Sequence, residues 1–381
     1  MALITAGVTG TNGKTTTTTL LAAALATVAR PVARVTTLGF FLDDAEQAVT
    51  KSEAGFLEVM RRAEARGARF AAIEYTSEAL ARGYAKTWPA RVAAFTNLSH
   101  DHLDAHGSPE HYLASKAQLF MHLPVGGTAI LNGCDEACAL LAEVVPAGVP
   151  IVWYGLPSRG DPHAALELAA VEVEVTLEGT RVLLANGQEI TTRAIGEPFA
   201  ENALAAYGAA LALGVPVEDA AAAIAAAAPP AGRFEIVSRA PNVVVDYAHS
   251  PDALARTVAT ARRLCAGRLT VVFGAGGNRD RDKRGPMGAA AASADRVVLT
   301  ADNPRDEDPH AIAEALRAGL VGHGVVEEIL DRATAITTAI REAGPQDLVL
   351  IAGKGHEREQ TVGHRRVPFD DRAVARAAVE R

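Results

Sequence analysis

The chain has 381 residues, enough for two or more domains that each bury their own core, and 49% hydrophobic with 22% charged residues is the balance of a mixed α/β enzyme. Thirty-seven basic residues against 45 acidic ones leave a net charge of −8 with no long basic run, which excludes an electrostatic footprint for nucleic acid or an anionic membrane; any anionic substrate must be met locally. Three cysteines, Cys134, Cys138 and Cys265, are too few for a disulfide framework and lack the second pair of a zinc site, so they read as reduced cytosolic thiols.

The apolar opening segment, Met1 to Val8, has no basic leader and runs into a glycine-rich loop, the pattern of a buried strand rather than a signal. Apolar runs at Ala2–Val8, Arg69–Tyr75, Arg91–Thr96, Thr128–Leu131 and Val149–Tyr154 predict strands separated by helical or loop segments, hence a mostly parallel sheet. From Leu166 to Arg193 alternating residues broken by Gly179 and Asn186-Gly187 predict a small antiparallel subsheet. Two alanine-rich helices follow, near Glu201–Leu213 and Val217–Ala227, and Pro229-Pro230-Ala231-Gly232 ends the second, because proline cannot continue a helix. The alanine-rich stretch Ala220 to Ala228 lacks the uninterrupted, strongly apolar length of a membrane span, so a soluble, cytoplasmic protein is expected.

A second, Rossmann-like α/β series begins beyond Arg233, with strands at Val243–Asp246, Leu269–Phe273, Arg296–Thr300 and Asp347–Ala352. Each ends in a polar or glycine-rich loop, and in open parallel sheets such loops form one rim of a binding cleft. The expected organisation is a larger domain over residues 1–232, which opens on the glycine-rich loop, and a smaller α/β domain over 233–381.

The loop Gly7-Val8-Thr9-Gly10-Thr11-Asn12-Gly13-Lys14-Thr15-Thr16 lies between a strand and a helix, where consecutive N–H groups wrap phosphate oxygens. Lys14 is suited to neutralise the outer phosphates and Thr15 to hold Mg2+ through its hydroxyl. The spacing departs from the common P-loop: its first glycine falls on Val8. Glu74 terminates one apolar strand and His102 sits in an aspartate-rich loop after another, positions from which both can reach a metal beside a triphosphate; oxygen ligands and few protein contacts suit Mg2+. Lys116 shares its helix with Leu113, Leu119 and Phe120, and that spacing alone reads as an amphipathic helix with a solvated lysine. Arg279, Arg305 and Glu357 lie in three strand-end loops of the second domain, where arginine can grip a carboxylate and glutamate an ammonium group. A structural salt bridge is the plain alternative for each.

The string Thr9-Gly10-Thr11-Asn12-Gly13-Lys14-Thr15-Thr16 resembles the Mur ligase superfamily, which also includes folylpolyglutamate synthetases and the ligase domain of cyanophycin synthetases. Thr96-Asn97-Leu98-Ser99-His100-Asp101-His102-Leu103-Asp104 and Tyr112-Leu113-Ala114-Ser115-Lys116 are similar to that superfamily's central-domain motifs. Phe199 to Ala206, Gly232-Arg233-Phe234-Glu235 and Asp246-Tyr247-Ala248-His249 resemble its nucleotide-contacting segments, while Asp302-Asn303-Pro304-Arg305 and Gly353-Lys354-Gly355-His356-Glu357 point to the MurE branch, the UDP-N-acetylmuramoyl-tripeptide synthetases.

The resemblance implies an ADP-forming ligase that uses ATP and Mg2+ to join an amino acid to a carboxylate through an acyl phosphate. It assigns nucleotide contacts to Gly10, Thr11, Asn12, Gly13, Lys14, Thr15, Thr16, Asn202, Arg233 and Asp246. One Mg2+ falls to Thr15 and Glu74, the other to Glu74 and His102, with Lys14, Lys116 and His102 as catalytic residues and a carbamate on Lys116. Arg279, Asp302, Asn303, Arg305, Gly353 and Glu357 are implied to recognise the amino acid, meso-diaminopimelate first, with Arg305 favouring a distal carboxylate.

The acceptor side departs from the branch. The P-loop begins at Gly7, without the preceding domain that binds the uridine diphosphate portion, and Glu74-Tyr75-Thr76-Ser77-Glu78 and Val49-Thr50-Lys51-Ser52 replace the usual substrate segments. A non-standard carboxylate acceptor is therefore expected, with a partner protein as one way of supplying its recognition. The alternatives are a folylpolyglutamate-synthetase-like ligase, a cyanophycin-type ligase, or a non-catalytic ATP-binding subunit.

Overall fold

The computed structural model describes residues 3–99 and 108–380. Of these, residues 3–99 and 108–230 form one compact unit and 231–380 a second.

The first unit is built on one eleven-stranded sheet. Its strands are β1 (Ile4–Thr9), β2 (Val32–Val35), β3 (Phe40–Leu42), β4 (Ala45–Glu46), β5 (Phe70–Glu74), β6 (Val92–Phe95), β7 (Thr128–Asn132), β8 (Ile151–Gly155), β9 (Leu168–Thr176), β10 (Gly179–Leu184) and β11 (Glu189–Thr192), in the order β11-β10-β9-β8-β7-β6-β1-β5-β2-β3-β4. The run from β8 to β2 is parallel. The antiparallel strands β9 to β11 join the same sheet where Tyr154 pairs with Leu168 and Gly155 with Ala169. Alternation along each central strand sends side chains to opposite faces. Phe70, Ala72, Val92 and Ala94 enter one core, whereas Ala71, Ile73, Ala93 and Phe95 enter the other.

The five expected strands are present, with ends displaced by a residue or two. The short strands β2, β3 and β4 were not anticipated. The first expected alanine-rich helix runs over Glu197–Ala212, and its Ala200, Ala203 to Ala206, Ala209 and Ala210 are fully buried. Methyl side chains let its backbone come close to the Lys14–Leu25 helix and to the sheet, so alanine here serves packing as well as helix propensity.

The second unit has a six-stranded sheet of β12 (Glu235–Arg239), β13 (Asn242–Asp246), β14 (Leu269–Phe273), β15 (Arg296–Leu299), β16 (Val326–Glu328) and β17 (Leu348–Ala352), ordered β12-β13-β17-β14-β15-β16. Only β12 is antiparallel to its neighbour. The loops after β13, β17, β14 and β15 therefore emerge side by side from one edge of the sheet. A separate hairpin, β18 (Glu359–Val362) with β19 (Arg365–Pro368), follows the loop after β17. No helix among the described residues is long and apolar enough to cross a membrane.

Candidate active site

In the first unit β1 lies between β5 and β6, so the loop that leaves β1 is flanked by the ends of both neighbours. From the β6 side, Asn97 grips the loop by its edges: its carbonyl accepts from Thr11 N–H at 2.8 Å and its Oδ1 from Asn12 N–H at 3.0 Å. Thr96 Oγ1 donates to Asn12 O at 2.6 Å, and Thr11 Oγ1 accepts from Ser99 N–H at 3.0 Å. The loop's shape is thereby set before any ligand arrives.

The helix after this loop, Lys14–Leu25, is one of several described helices that begin without a side-chain cap. Gly13 is its N-cap, in the left-handed region at φ 86°, and no side chain caps the first turn. The serine-capped Pro109–Met121 and Pro251–Leu264 helices give their exposed N–H groups a hydroxyl acceptor instead. An uncapped first turn presents aligned N–H donors and the positive end of the helix dipole, about half a charge, to an anion. Asn202 from the alanine-rich helix closes this cradle, since a β-carbon on Gly13 would overlap Asn202 Oδ1. Lys14 stands at the rim, its Nζ donating to Gly10 O at 3.1 Å and Thr11 O at 2.7 Å.

On the β5 side, Glu74 is buried with its carboxylate against hydroxyls: Oε2 accepts from Thr15 Oγ1 at 2.9 Å, Thr37 N–H at 3.1 Å and Thr37 Oγ1 at 3.3 Å. Thr37 arrives because β2 pairs in parallel with β5, Val35 opposite Ile73, so the residues after both strands meet. It is a site residue that sequence reasoning missed, and its signal was a threonine pair just after a short apolar run. One carboxylate with one hydroxyl is a donor set that fits Mg2+, which keeps several of its waters. His102, the other expected metal ligand, lies outside the described residues.

Lys116 is buried, not solvated as its helix spacing alone suggested. Its Nζ donates to Gly10 O at 2.6 Å and lies 4.2 Å from the centre of the Tyr112 ring, one turn earlier on the same helix. The underside of the loop thus has a lysine of its own, distinct from Lys14 at the rim. Nearby, burial pushes the Tyr75 phenol well above its usual range, and its hydroxyl donates to Trp88 O at 2.9 Å.

The second unit gathers its residues at the sheet edge. Asn303 Nδ2 donates to Glu357 Oε2 at 3.1 Å, and the fully buried Lys354 donates to the same oxygen at 2.8 Å and to Asn303 Oδ1 at 3.1 Å. Asp302 is buried 3.5 Å from the Lys354 amine, and a β-carbon on Gly353 would lie 3.2 Å from Asp302 Oδ2. Arg305 and Arg279 converge on Gly276, whose added β-carbon would lie 3.1 Å from Arg305 Nη1 and 3.6 Å from Arg279 Cγ. The Arg305 backbone sits at φ 52° and is pinned to the hairpin: its N–H donates to Thr361 O at 3.1 Å and its carbonyl accepts from Gly363 N–H at 2.8 Å. Its Nη1 donates to Gly277 O at 2.6 Å.

Elsewhere on this edge, Asp246 is taken up by the backbone: Oδ2 accepts from Phe234 N–H at 2.7 Å and Oδ1 from Ala248 N–H at 2.8 Å. It sets the loop on which Arg233 lies over the Tyr247 ring, 4.4 Å from its centre. Behind the edge, Arg332 and Asp371 form a fully buried two-point ion pair at 2.7 Å, and Arg332 Nη2 donates to Ala352 O at 3.0 Å. Burial opposes the guanidinium charge, but the Asp371 carboxylate outweighs it and raises Arg332 above its usual range.

An uncapped glycine-lysine-threonine helix start with a buried acidic neighbour, followed in the chain by a second α/β unit with a charged strand-end cluster, is the architecture of an ATP-dependent, ADP-forming carboxylate–amine ligase. Residues 8–210 match the Mur ligase middle domain and residues 232–355 the Mur ligase glutamate ligase domain, and the chain belongs to the Mur ligase family. It is 40% identical over 399 aligned positions to the UDP-N-acetylmuramoyl-L-alanyl-D-glutamate--2,6-diaminopimelate ligase of Parasynechococcus marenigrum (strain WH8102), covering 100% of this chain and 77% of that protein. The enzyme of the same name from Geobacillus thermodenitrificans (strain NG80-2) is 38% identical, with 98% and 78% covered. A solved structure under that name superposes with a TM-score of 0.69 at 32% identity over 100% of this chain and 79% of that one. Mycobacterium tuberculosis folylpolyglutamate synthase complexed with ADP shares the fold, with a TM-score of 0.76 at 21% identity, 92% of this chain and 88% of that one being covered.

Proposed function

We propose that this chain joins an amino group of meso-diaminopimelate to a carboxylate acceptor, consuming ATP and releasing ADP and phosphate, with residues 1–232 serving the nucleotide and 233–381 the amino acid. The observation that carries this reading is the uncapped Lys14–Leu25 helix start, around which Lys14, Thr15, Glu74, Asn202 and Lys116 converge on one loop. The identities of 40% and 38% to ligases named for 2,6-diaminopimelate support the choice of amine. The three free cysteines support a reducing, cytoplasmic setting.

A carboxylate is a poor acyl donor. Its oxygen attacks the γ-phosphorus of ATP, the bond to the β-phosphate oxygen breaks, and ADP leaves behind an acyl phosphate. Gly13 and the first-turn N–H groups hold the phosphates, and the Lys14 ammonium stands where charge migrates. Thr15 and Glu74 would hold Mg2+, which would further neutralise the phosphate charge. Asp246 positions the loop that carries Arg233 and Tyr247. The amine then attacks the acyl carbon, loses a proton, and phosphate departs as the amide forms. Glu357, oriented by Asn303, receives an ammonium group of the amino acid, Arg305 and Arg279 a carboxylate, and Asp302 and Gly353 shape the floor. Lys116 reacts as the free amine with CO2, forming an N–C bond and releasing a proton, and the resulting carbamate supplies an anion beneath the loop.

The test is ADP release and product mass spectrometry with ATP, Mg2+ and labelled meso-diaminopimelate. UDP-N-acetylmuramoyl-L-alanyl-D-glutamate is supplied in one arm and a pool of smaller carboxylates in another. Label transferred into an amide with stoichiometric ADP is expected; amine-independent ADP release, or none in either arm, overturns the reading.

A further inference from the structure

Lys354 has no part in the scheme above, yet it is a fully enclosed charge at the sheet edge, its side chain 0% exposed. Removing an ammonium group from water is costly unless acceptors replace the lost hydration. Here the acceptors come from two strand-end loops: Glu357 Oε2 at 2.8 Å, Asn303 Oδ1 at 3.1 Å and, slightly further, Asp302 Oδ1 at 3.5 Å. Asn303 is held in turn by Thr361 N–H, which donates to its Oδ1 at 2.9 Å, so its amide is oriented to give Nδ2 to Glu357 Oε2 at 3.1 Å.

Two consequences follow. The described hydrogen bonds to the Glu357 carboxylate all fall on Oε2, which leaves Oε1 on a side chain that is 33% exposed. The second concerns charge. Arg332 is held by its two-point pair with Asp371 but also faces Asp302 and Glu357, so two cations, Lys354 and Arg332, meet three carboxylates, Asp302, Glu357 and Asp371. One negative charge is left over in a largely buried cluster.

We propose that Lys354 is the positioning residue of the amine site: it fixes Glu357 through one oxygen so that the other meets the substrate's ammonium group, and it sets the cluster's charge to a single negative that one cation balances. This rests on the reading that Glu357 receives the amino acid. Lysine is suited to the task because its compact ammonium group donates to several acceptors at once, which the planar guanidinium of arginine does less readily in so closed a space.

The experiment is a thermodynamic cycle on the full chain. The Kd for meso-diaminopimelate is measured calorimetrically with ADP and Mg2+ present for the wild type, Lys354→Met, Glu357→Gln and the double variant. Each single change is expected to weaken binding by roughly tenfold or more, and the double variant to be about as weak as the weaker single one, because both act on one carboxylate. The Kd for ADP stays within about twofold, a split that general loosening of the fold would not give. Losses that multiply in the double variant, an unchanged Kd in Lys354→Met, or equal weakening of ADP would each overturn the proposal. An unchanged Kd in Glu357→Gln instead removes the amine-site reading itself, and this inference with it. If Lys354→Met does not fold by circular dichroism, Lys354→Gln, which keeps one N–H donor for Oε2, is expected to show the same coupling with a smaller loss, and additivity there overturns the proposal equally.

Discussion

The loops that follow β1 and β17 both leave the end of a buried parallel strand, yet they are made of different material. The first is mostly backbone: glycines and an uncapped helix turn, whose main-chain atoms are clamped by the Asn97 carbonyl and by the uncharged side chains of Asn97 and Thr96. The second relies on charged side chains paired with one another largely out of water. Backbone dipoles do not titrate and cannot be swapped by mutation, so the first loop is vulnerable chiefly through the few side chains that carry net charge. The second depends on a balance that any single substitution upsets.

The largest effects are expected where the backbone cradle relies on those few side chains. Lys14→Ala and Glu74→Ala should each lower ADP formation by on the order of a thousandfold or more, because stabilisation of migrating phosphate charge is lost. The melting temperature should change little, since neither substitution opens an apolar core; near-normal turnover in either variant would refute the nucleotide-loop assignment. Lys116→Ala comes next: activity should be lost and then partly restored by millimolar acetate, the missing group being an anion, while wild-type-like turnover of the unsubstituted enzyme in CO2-depleted buffer would show that no carbamate is needed.

At the second loop the expected changes are in choice rather than in rate. Arg305→Ala should cut the preference for meso-diaminopimelate over lysine, as kcat/KM, by roughly 10- to 100-fold, the loss of a charge-assisted contact to a distal carboxylate. An unaltered preference order would reject Arg305 as the selector and leave the ligation chemistry standing. The smallest effect belongs to a helix start with no ligand at all. Asp308 caps the Pro309–Arg317 helix by accepting from His310 N–H at 3.0 Å. Asp308→Ala should cost about 1 kcal/mol of stability in a denaturant titration with kcat unchanged, which contrasts an ordinary capped terminus with the uncapped one at Gly13.

What could be read in advance divides along the same line. Central strands such as β5 and β17 were legible because burial on both faces demands continuous apolar runs, and the phosphate loop because glycine and lysine are needed at fixed offsets. β2 was not, since four residues that include Arg34 carry little periodicity, and Thr37 was lost with it. The burial of Lys116 could not be seen from helix spacing, because its acceptor, Gly10, is more than a hundred residues away. Lys354 was visible only as part of a motif: Glu357 lies three residues on, but the other acceptors, Asn303 and Asp302, come from the distant loop after β15, and no local pattern encodes them.

Asp371, the partner of Arg332, is the first residue of the last described helix, Asp371–Val379. Arg332 in turn donates to the carbonyl of Ala352, two positions before Lys354. A protease that trimmed the chain back past this helix would strip the guanidinium of its counter-charge, a loss of about 3 to 5 kcal/mol for a broken buried pair. The damage would surface at the carboxyl end of β17, beside the amine cluster, while the glycine loop of the first unit lost none of its own bonds. The Asp371–Val379 helix is thus a clasp on the second unit's sheet edge, and the amino-acid selectivity proposed for that edge depends on its being intact.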